Sequence, residues 1–231
     1  MESTIKEKYN MPTTKTKGYK GIGMDGPIAT WYAKIAQKDI EEYKNNAKLV
    51  AKQVSEGSAI LEVAPGPGYI AVELAKLGHY QIVGLDISET FVEIAQRKAK
   101  EAGVVVDFRQ GNAAQMPLAE GAFDFIICKS AFKNFAEPVL ALDEMYRVLK
   151  VGGKALILDL RRDVSAEHVN NYVDNLGLNP VDSLFTKWTF KFMLIKRAYT
   201  TDQFKAMVAK SKFSKSEIQE NQIGLAVWLE K

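Results

Sequence analysis

Glu62, Gly66, Gly68, Asp86 and Asn112 have the types and order needed to hold a ligand at the ends of successive strands. The run Ile60-Leu61-Glu62-Val63 reads as a buried strand, and Gly66-Pro67-Gly68 breaks it before a helical pattern begins. Glycines at such a turn let the backbone close on a ligand, and the first turn of a helix presents unpaired N–H groups to it. The spacing Gly66, Gly68, Ala71 fits a dinucleotide fingerprint, yet Glu62, Pro65 and Pro67 are foreign to one. A diphosphate favours N–H donors without a neighbouring carboxylate. A buried carboxylate is costly unless it is neutralised or finds a cation, so Glu62 points to a ligand carrying positive charge. Asp86 closes the next strand, where a carboxylate accepts from both hydroxyls of a ribose.

The other reactive side chains are few. Tyr146 and Lys150 are four apart in a helical pattern, the spacing of the Tyr-Lys pair of short-chain dehydrogenases, which makes an NAD(P)-dependent oxidoreductase the rival reading. A helix running into Gly152-Gly153 equally explains Lys150 as a charge on the helix C-terminus. His79 reads as an exposed loop residue, His168 as a candidate base or a surface helix position, and Cys128 as a small core residue. No Cys/His cluster suggests a metal site, and one cysteine excludes an intrachain disulfide.

Short apolar runs alternating with helical periodicity from Ser58 onward must position these residues, the pattern of a βαβ sheet. Strands are expected at 58–64, 81–86, 104–108, 123–128 and 153–160, and helices near 68–77, 88–102 and 137–150. Thr200-Thr201-Asp202-Gln203 has capping-box spacing for a further helix, and SKSEIQEN and GLAVWLEK should pair as a closing hairpin. The expectation is an α/β fold: seven strands, mostly parallel, with an antiparallel C-terminal hairpin and helices on both faces. The chain reads as one domain over 1–231. It comprises an arm and helical cover (1–57), a cofactor-binding core (58–161), a lid insertion (162–199) and a closing helix and hairpin (200–231). A net charge of +3 is too small to imply a nucleic-acid partner on its own, so none is expected. No apolar run spans a bilayer, so the default is a cytoplasmic protein.

The segments LEVAPGPG, GLDIS, FRQGNAAQMPL, FDFIICKSAFKNF and EMYRVLKVGGKALILDL, in this order, resemble the class I S-adenosylmethionine-dependent methyltransferases of small-molecule type. The resemblance covers roughly residues 58–160 and implies that fold, S-adenosylmethionine as cofactor and methyl transfer to a small organic acceptor. It also implies that Glu62, Ala64, Gly66 and Gly68 hold the methionine portion, that Asp86 and Ile87 meet the ribose side, and that Asn112 and Ala113 flank the adenine. Lys129 and Ser130 would border the cofactor. Asn112 stands where many members have aspartate, and Ala64 where they have the first glycine, which demands a backbone conformation an alanine tolerates. A cofactor-binding protein without transferase activity remains a second alternative.

Direct displacement of a methyl group needs alignment and exclusion of water more than a dedicated base. The loop KSAFKNF follows the fourth strand, so Lys133 and Asn134 are expected to face the acceptor. Covers are expected from GPIATWY, with Trp31 and Tyr32, and from DSLFTKWTFKFMLIKR, with Trp188 and Phe192. Arg161 and Arg162 follow the fifth strand and could read an anionic group on the acceptor. Candidate catalytic groups are therefore His168, Lys133, Asn134 and Tyr32.

Overall fold

The computed structural model describes residues 18–20, 23–175, 177, 179–189 and 194–231. Helix α1 (Gly26–Ala36) passes through one 3-10 turn (Gln37–Asp39) into α2 (Ile40–Ala51). The alternating core follows: β1 (Ala59–Val63), α3 (Tyr69–Ala75), β2 (Gln81–Asp86), α4 (Glu89–Glu101), β3 (Asp107–Gln110) and β4 (Phe123–Lys129). Then come α5 (Pro138–Val148), β5 (Leu149–Leu160), and α6 (Ala166–Asp174) with α7 (Pro180–Thr189) in the insertion. Helix α8 (Thr201–Val208) and the hairpin β6 (Lys215–Glu220) and β7 (Gly224–Glu230) close the chain.

The strands form one seven-stranded sheet in the order β3-β2-β1-β4-β5-β7-β6. The first five are parallel, while β7 runs antiparallel to both β5 and β6. Residues alternate between two apolar faces, as a sheet covered on both sides requires. Leu61, Ile126, Cys128 and Ile157 pack under α5 and α8, whereas Ile60, Phe125, Ile127 and Leu156 pack under α2, α3 and α4. Strand order reverses between β1 and β4, and ligands of open α/β sheets bind at the carboxyl ends of strands at such a point.

Two boundaries differ from the sequence expectation. Strand β3 starts at Asp107 rather than 104, because ladder pairing with β2 begins at Val83↔Asp107. Val104 and Val106 pack at the end of α4 instead. Strand β5 starts at Leu149, which pairs with Phe123 ahead of a register shift, so α5 ends at Val148. Lys150 therefore lies in a strand, where it bonds Asp124 at 2.7 Å, and does not share a helix face with Tyr146. The Tyr-Lys pair needed by the oxidoreductase reading is not assembled.

Candidate active site

The turn after β1 places left-handed backbone at Ala64 (φ 55), Gly66 (φ 55) and Gly68 (φ 77). For Ala64 this conformation carries a steric cost, which its N–H bond to Leu85 O at 2.8 Å helps to hold. At Gly68 a Cβ would stand 2.7 Å from Phe108 Cζ and 2.8 Å from Ala95 Cβ, so the turn packs directly onto β3 and α4. Glu62 is 4% exposed, and its Oε2 accepts from the N–H of Ala71 at 2.9 Å. Ala71 is the third residue of α3, so a carboxylate already occupies a donor of the helix N-terminus. Burial pushes the Glu62 carboxyl up to about 8, against the smaller lowering effect of that N–H. Lys129, a cation that acts on it, is itself paired with Glu42 at 3.2 Å.

Asp86 ends β2 beside this turn. Its Oδ2 accepts from Gly66 N–H and its Oδ1 from Ser88 N–H, both at 2.9 Å. Burial nonetheless raises its pKa above the ordinary value. Each oxygen retains a lone pair for a further donor. Asn112 lies beyond β3 and receives Ala114 N–H on Oδ1 at 3.0 Å; Ala113, next to it, is partly buried against the core. Both Ile87 and Asn112 are covered by Gly18, where a Cβ would meet Ile87 Cδ1 at 2.1 Å and Asn112 Cγ at 3.2 Å.

This N-terminal strap is the main feature that sequence reasoning missed. Tyr19 bridges Phe135, and Lys20 N–H donates to Asn134 O at 2.8 Å, so residues 18–20 cross the mouth of the site to the loop after β4. Burial raises the Tyr19 pKa against a smaller lowering by the Arg197 cation, and Lys20 Nζ donates to the Tyr199 hydroxyl while lying 4.6 Å above its ring. Nothing in the polar, lysine-rich sequence around them carries a periodic signal for this contact.

Lys133 is a correction. It does not face an acceptor: it is 3% exposed, and its Nζ donates to Asp159 Oδ1 at 2.8 Å and to Ser130 O. Its backbone N–H also bonds Asp159 Oδ2 at 2.8 Å. The pair ties the loop after β4 to the end of β5, with Ser130 in left-handed backbone (φ 58) between them. Lys129 lies over the Tyr43 ring at 4.8 Å, and Asn134 is partly buried on the strap.

Other expected acceptor contacts disperse. Tyr32 packs edge-on against Phe91 at 5.9 Å, with burial raising its pKa, so it belongs to the cover's inner packing. Trp31 and Trp188 point to solvent, 54% and 51% exposed. Arg161 is held by Asp163 and Glu220, which satisfies its guanidinium without an anionic acceptor, and Arg162 is exposed. His168 is exposed in the first turn of α6, its Nδ1 3.1 Å from Ser165 Oγ, which is a helix-capping position rather than a base at the sheet edge. Phe192 lies outside the described residues. Cys128 is fully buried in the core.

The methyltransferase-domain family model matches residues 61–157, the segment that contains the turn, Asp86, Asn112 and the loop after β4. The matched segment is similar to methyltransferase domains, and the seven-stranded sheet has the class I methyltransferase fold. A structure assigned as an S-adenosyl-L-methionine-dependent methyltransferase from Methanococcus maripaludis superposes with a TM-score of 0.73 at 20% identity, covering 92% of this chain and 95% of that one. Among curated relatives, demethylmenaquinone methyltransferase of Thermus thermophilus is 38% identical over 101 residues, 43% of this chain and 46% of that protein. The ubiquinone/menaquinone biosynthesis C-methyltransferase UbiE of Geotalea daltonii is 29% identical over 176 residues, 72% of this chain and 75% of that protein. The chain spans about half the length of several relatives it matches. Among its described residues no helix is long and apolar enough to cross a membrane.

Proposed function

We propose that this chain is a class I methyltransferase that binds S-adenosylmethionine at the carboxyl ends of β1, β2 and β3 and transfers its methyl group to a carbon of a small quinol-type acceptor. The observation that carries the cofactor reading is the seating of the Glu62 carboxyl on the first turn of α3. A dinucleotide would bring a diphosphate against that carboxylate, whereas the α-ammonium of a methionyl group neutralises it. Bound S-adenosylmethionine supplies a methyl carbon on a sulfonium, open to displacement in line with the sulfur.

Each residue then has a defined task. Glu62 holds the ammonium, and Gly66 and Gly68 let the backbone approach the methionyl chain. Asp86 already points both oxygens into the turn and accepts from the ribose hydroxyls. Ile87, Asn112 and Ala113 flank the adenine, with Gly18 of the strap over them. Ala64, Lys129 and Ser130 complete the wall on the methionyl side. The Lys133–Asp159 pair positions the loop after β4, which fixes one wall of the acceptor space and excludes water from it. The carbon acceptor is supported by the curated relatives' names.

The test is incubation with methyl-labelled S-adenosylmethionine and a panel of reduced naphthoquinols and benzoquinols. Label should appear on ring carbon with stoichiometric adenosylhomocysteine. Asp86→Ala should weaken adenosylhomocysteine binding by about 1.5–3 kcal/mol, the scale of hydrogen bonds to a charged group. Adenosylhomocysteine binding without label transfer to any acceptor would leave only a cofactor-binding protein. Capture of NADH in its place would overturn the whole assignment.

A further inference from the structure

Helix α1 has its amphipathic pattern reversed. Its buried residues are the small ones, Ala29, Ala33 and Ala36, which pack against Phe91 and Ile94 of α4. Its bulky apolar residues face out: Ile28, Trp31 and Ile35 are 45%, 54% and 40% exposed. Spacings of three and four place these three on one stripe of the helix. A water-facing helix ordinarily shows the opposite arrangement, so the stripe calls for an apolar partner.

The helix is firmly seated, which excludes a loosely attached element. Asp25 Oδ1 caps it through Gly26 N–H at 3.0 Å and also accepts from Ser88 Oγ at 2.9 Å and Thr90 N–H at 3.2 Å. The Tyr69 hydroxyl donates to Ala33 O at 3.0 Å. The same cap ties α1 to Ser88, two residues past Asp86, so the stripe is the outer face of the element that covers the candidate site. Leu184 and Trp188, four apart on α7, are also exposed, at 72% and 51%.

Charge identifies the partner. Lys34 and Lys38 are exposed on and just beyond α1 and have no ion pair among the described residues. Of the neighbouring acidic groups, Glu41 pairs with Lys44 and Glu42 with Lys129, Asp25 is exposed but bonded within its cap, and Asp39 is exposed beside Lys38. The local balance is therefore near neutral, and the excess of positive charge comes from the lysines of the first 20 residues. The first 20 residues of the chain, which lead toward α1, carry five lysines against two glutamates. An apolar stripe containing a tryptophan and bordered by lysines is the arrangement of a helix lying in an anionic lipid interface. The exposed area argues against a second copy of the chain, since three half-exposed side chains offer on the order of 300 Å² where a stable interface needs about 800 Å² per partner.

We infer that α1 docks the protein on the surface of an anionic lipid bilayer, with Ile28, Trp31 and Ile35 entering the headgroup–acyl boundary and Lys34 and Lys38 meeting lipid phosphates. The inference stands on this surface alone and does not depend on the methyl acceptor.

Co-sedimentation of the full chain with phosphatidylcholine–phosphatidylglycerol vesicles, against pure phosphatidylcholine, tests it. Binding to the anionic vesicles with a blue shift of tryptophan emission is expected, reduced by salt. Ile28→Glu/Ile35→Glu should lower the bound fraction roughly ten-fold, and Lys34→Glu/Lys38→Glu should lower it similarly while retaining every apolar side chain. Unchanged thermal melting shows that these surface variants fold. No binding to either vesicle, or binding unaffected by both variants, overturns the inference. Equal binding to neutral vesicles removes the anionic surface. A dimer in velocity sedimentation that the apolar variant dissociates, without vesicle binding, assigns the stripe to self-association instead. No turnover is measured, so none of these results bears on methyl transfer.

Discussion

Glu62→Gln separates the electrostatic reading of the site from a purely structural one. The carboxyl is fully buried with its pKa near 8 in place of 4.5. At pH 7 the free protein therefore holds Glu62 mostly neutral, and ionising it costs on the order of 1 kcal/mol. A ligand ammonium favours the carboxylate, so binding at pH 7 should release most of a proton to the buffer. Affinity for adenosylhomocysteine should rise up to ten-fold per pH unit from 6 toward 8. It should then level off, and fall only where the ligand's own α-ammonium loses its proton. Calorimetry in two buffers of different ionisation enthalpy counts the proton directly. In Glu62→Gln the amide oxygen can still accept from Ala71 N–H, so α3 stays capped while proton release and the acid limb of the profile disappear. Stability moves the other way. A carboxyl whose folded pKa is raised stabilises the fold fully below pH 4.5 and loses that contribution as pH rises through 8, a change of roughly 4–5 kcal/mol for this shift. The variant should therefore resist denaturant better than the wild type at pH 9. Wild-type affinity that stays flat from pH 6 to 8, with no buffer-dependent heat, refutes the reasoning.

Two further outcomes follow from the walls of the site. Lys133→Met leaves Asp159 as an unpaired buried carboxylate and should cost about 3–5 kcal/mol in urea denaturation at neutral pH, whereas Lys133→Met/Asp159→Leu should recover most of it. A stable Lys133→Met that had lost only turnover would return Lys133 to a direct catalytic role. Ala64→Gly removes the left-handed strain of a residue with a side chain and should raise stability by up to about 1 kcal/mol, read from the melting midpoint; a loss would show that the alanine methyl packs productively.

The sequence by itself determined the alternation of elements and the strand ends that matter. Glu62, the glycine turn and Asp86 are local signals, because a glycine turn and a strand-terminal carboxylate are written within a few residues of one another. The hairpin was equally legible, since SKSEIQEN and GLAVWLEK are separated by a connection too short for anything but antiparallel pairing. Even the demand on Ala64 followed from its place in the turn, and its φ of 55 meets it. What only the tertiary structure decided depends on residues distant in the chain. Lys133 read as a loop lysine facing the acceptor until Asp159, 26 residues away, claimed it. Arg161 was satisfied by Glu220 on a strand it precedes by 59 residues. Gly18 and Tyr19 became part of the site through backbone pairing that leaves no hydrophobic period to read. Trp31 had the same composition whether it faced the site or the solvent, and the direction was set by which face of α1 carried the alanines small enough to lie against α4. Local chemistry writes strands, turns and caps into a sequence. The partner of a buried charge and the outward face of a covering helix are settled only when segments far apart compete for the same space.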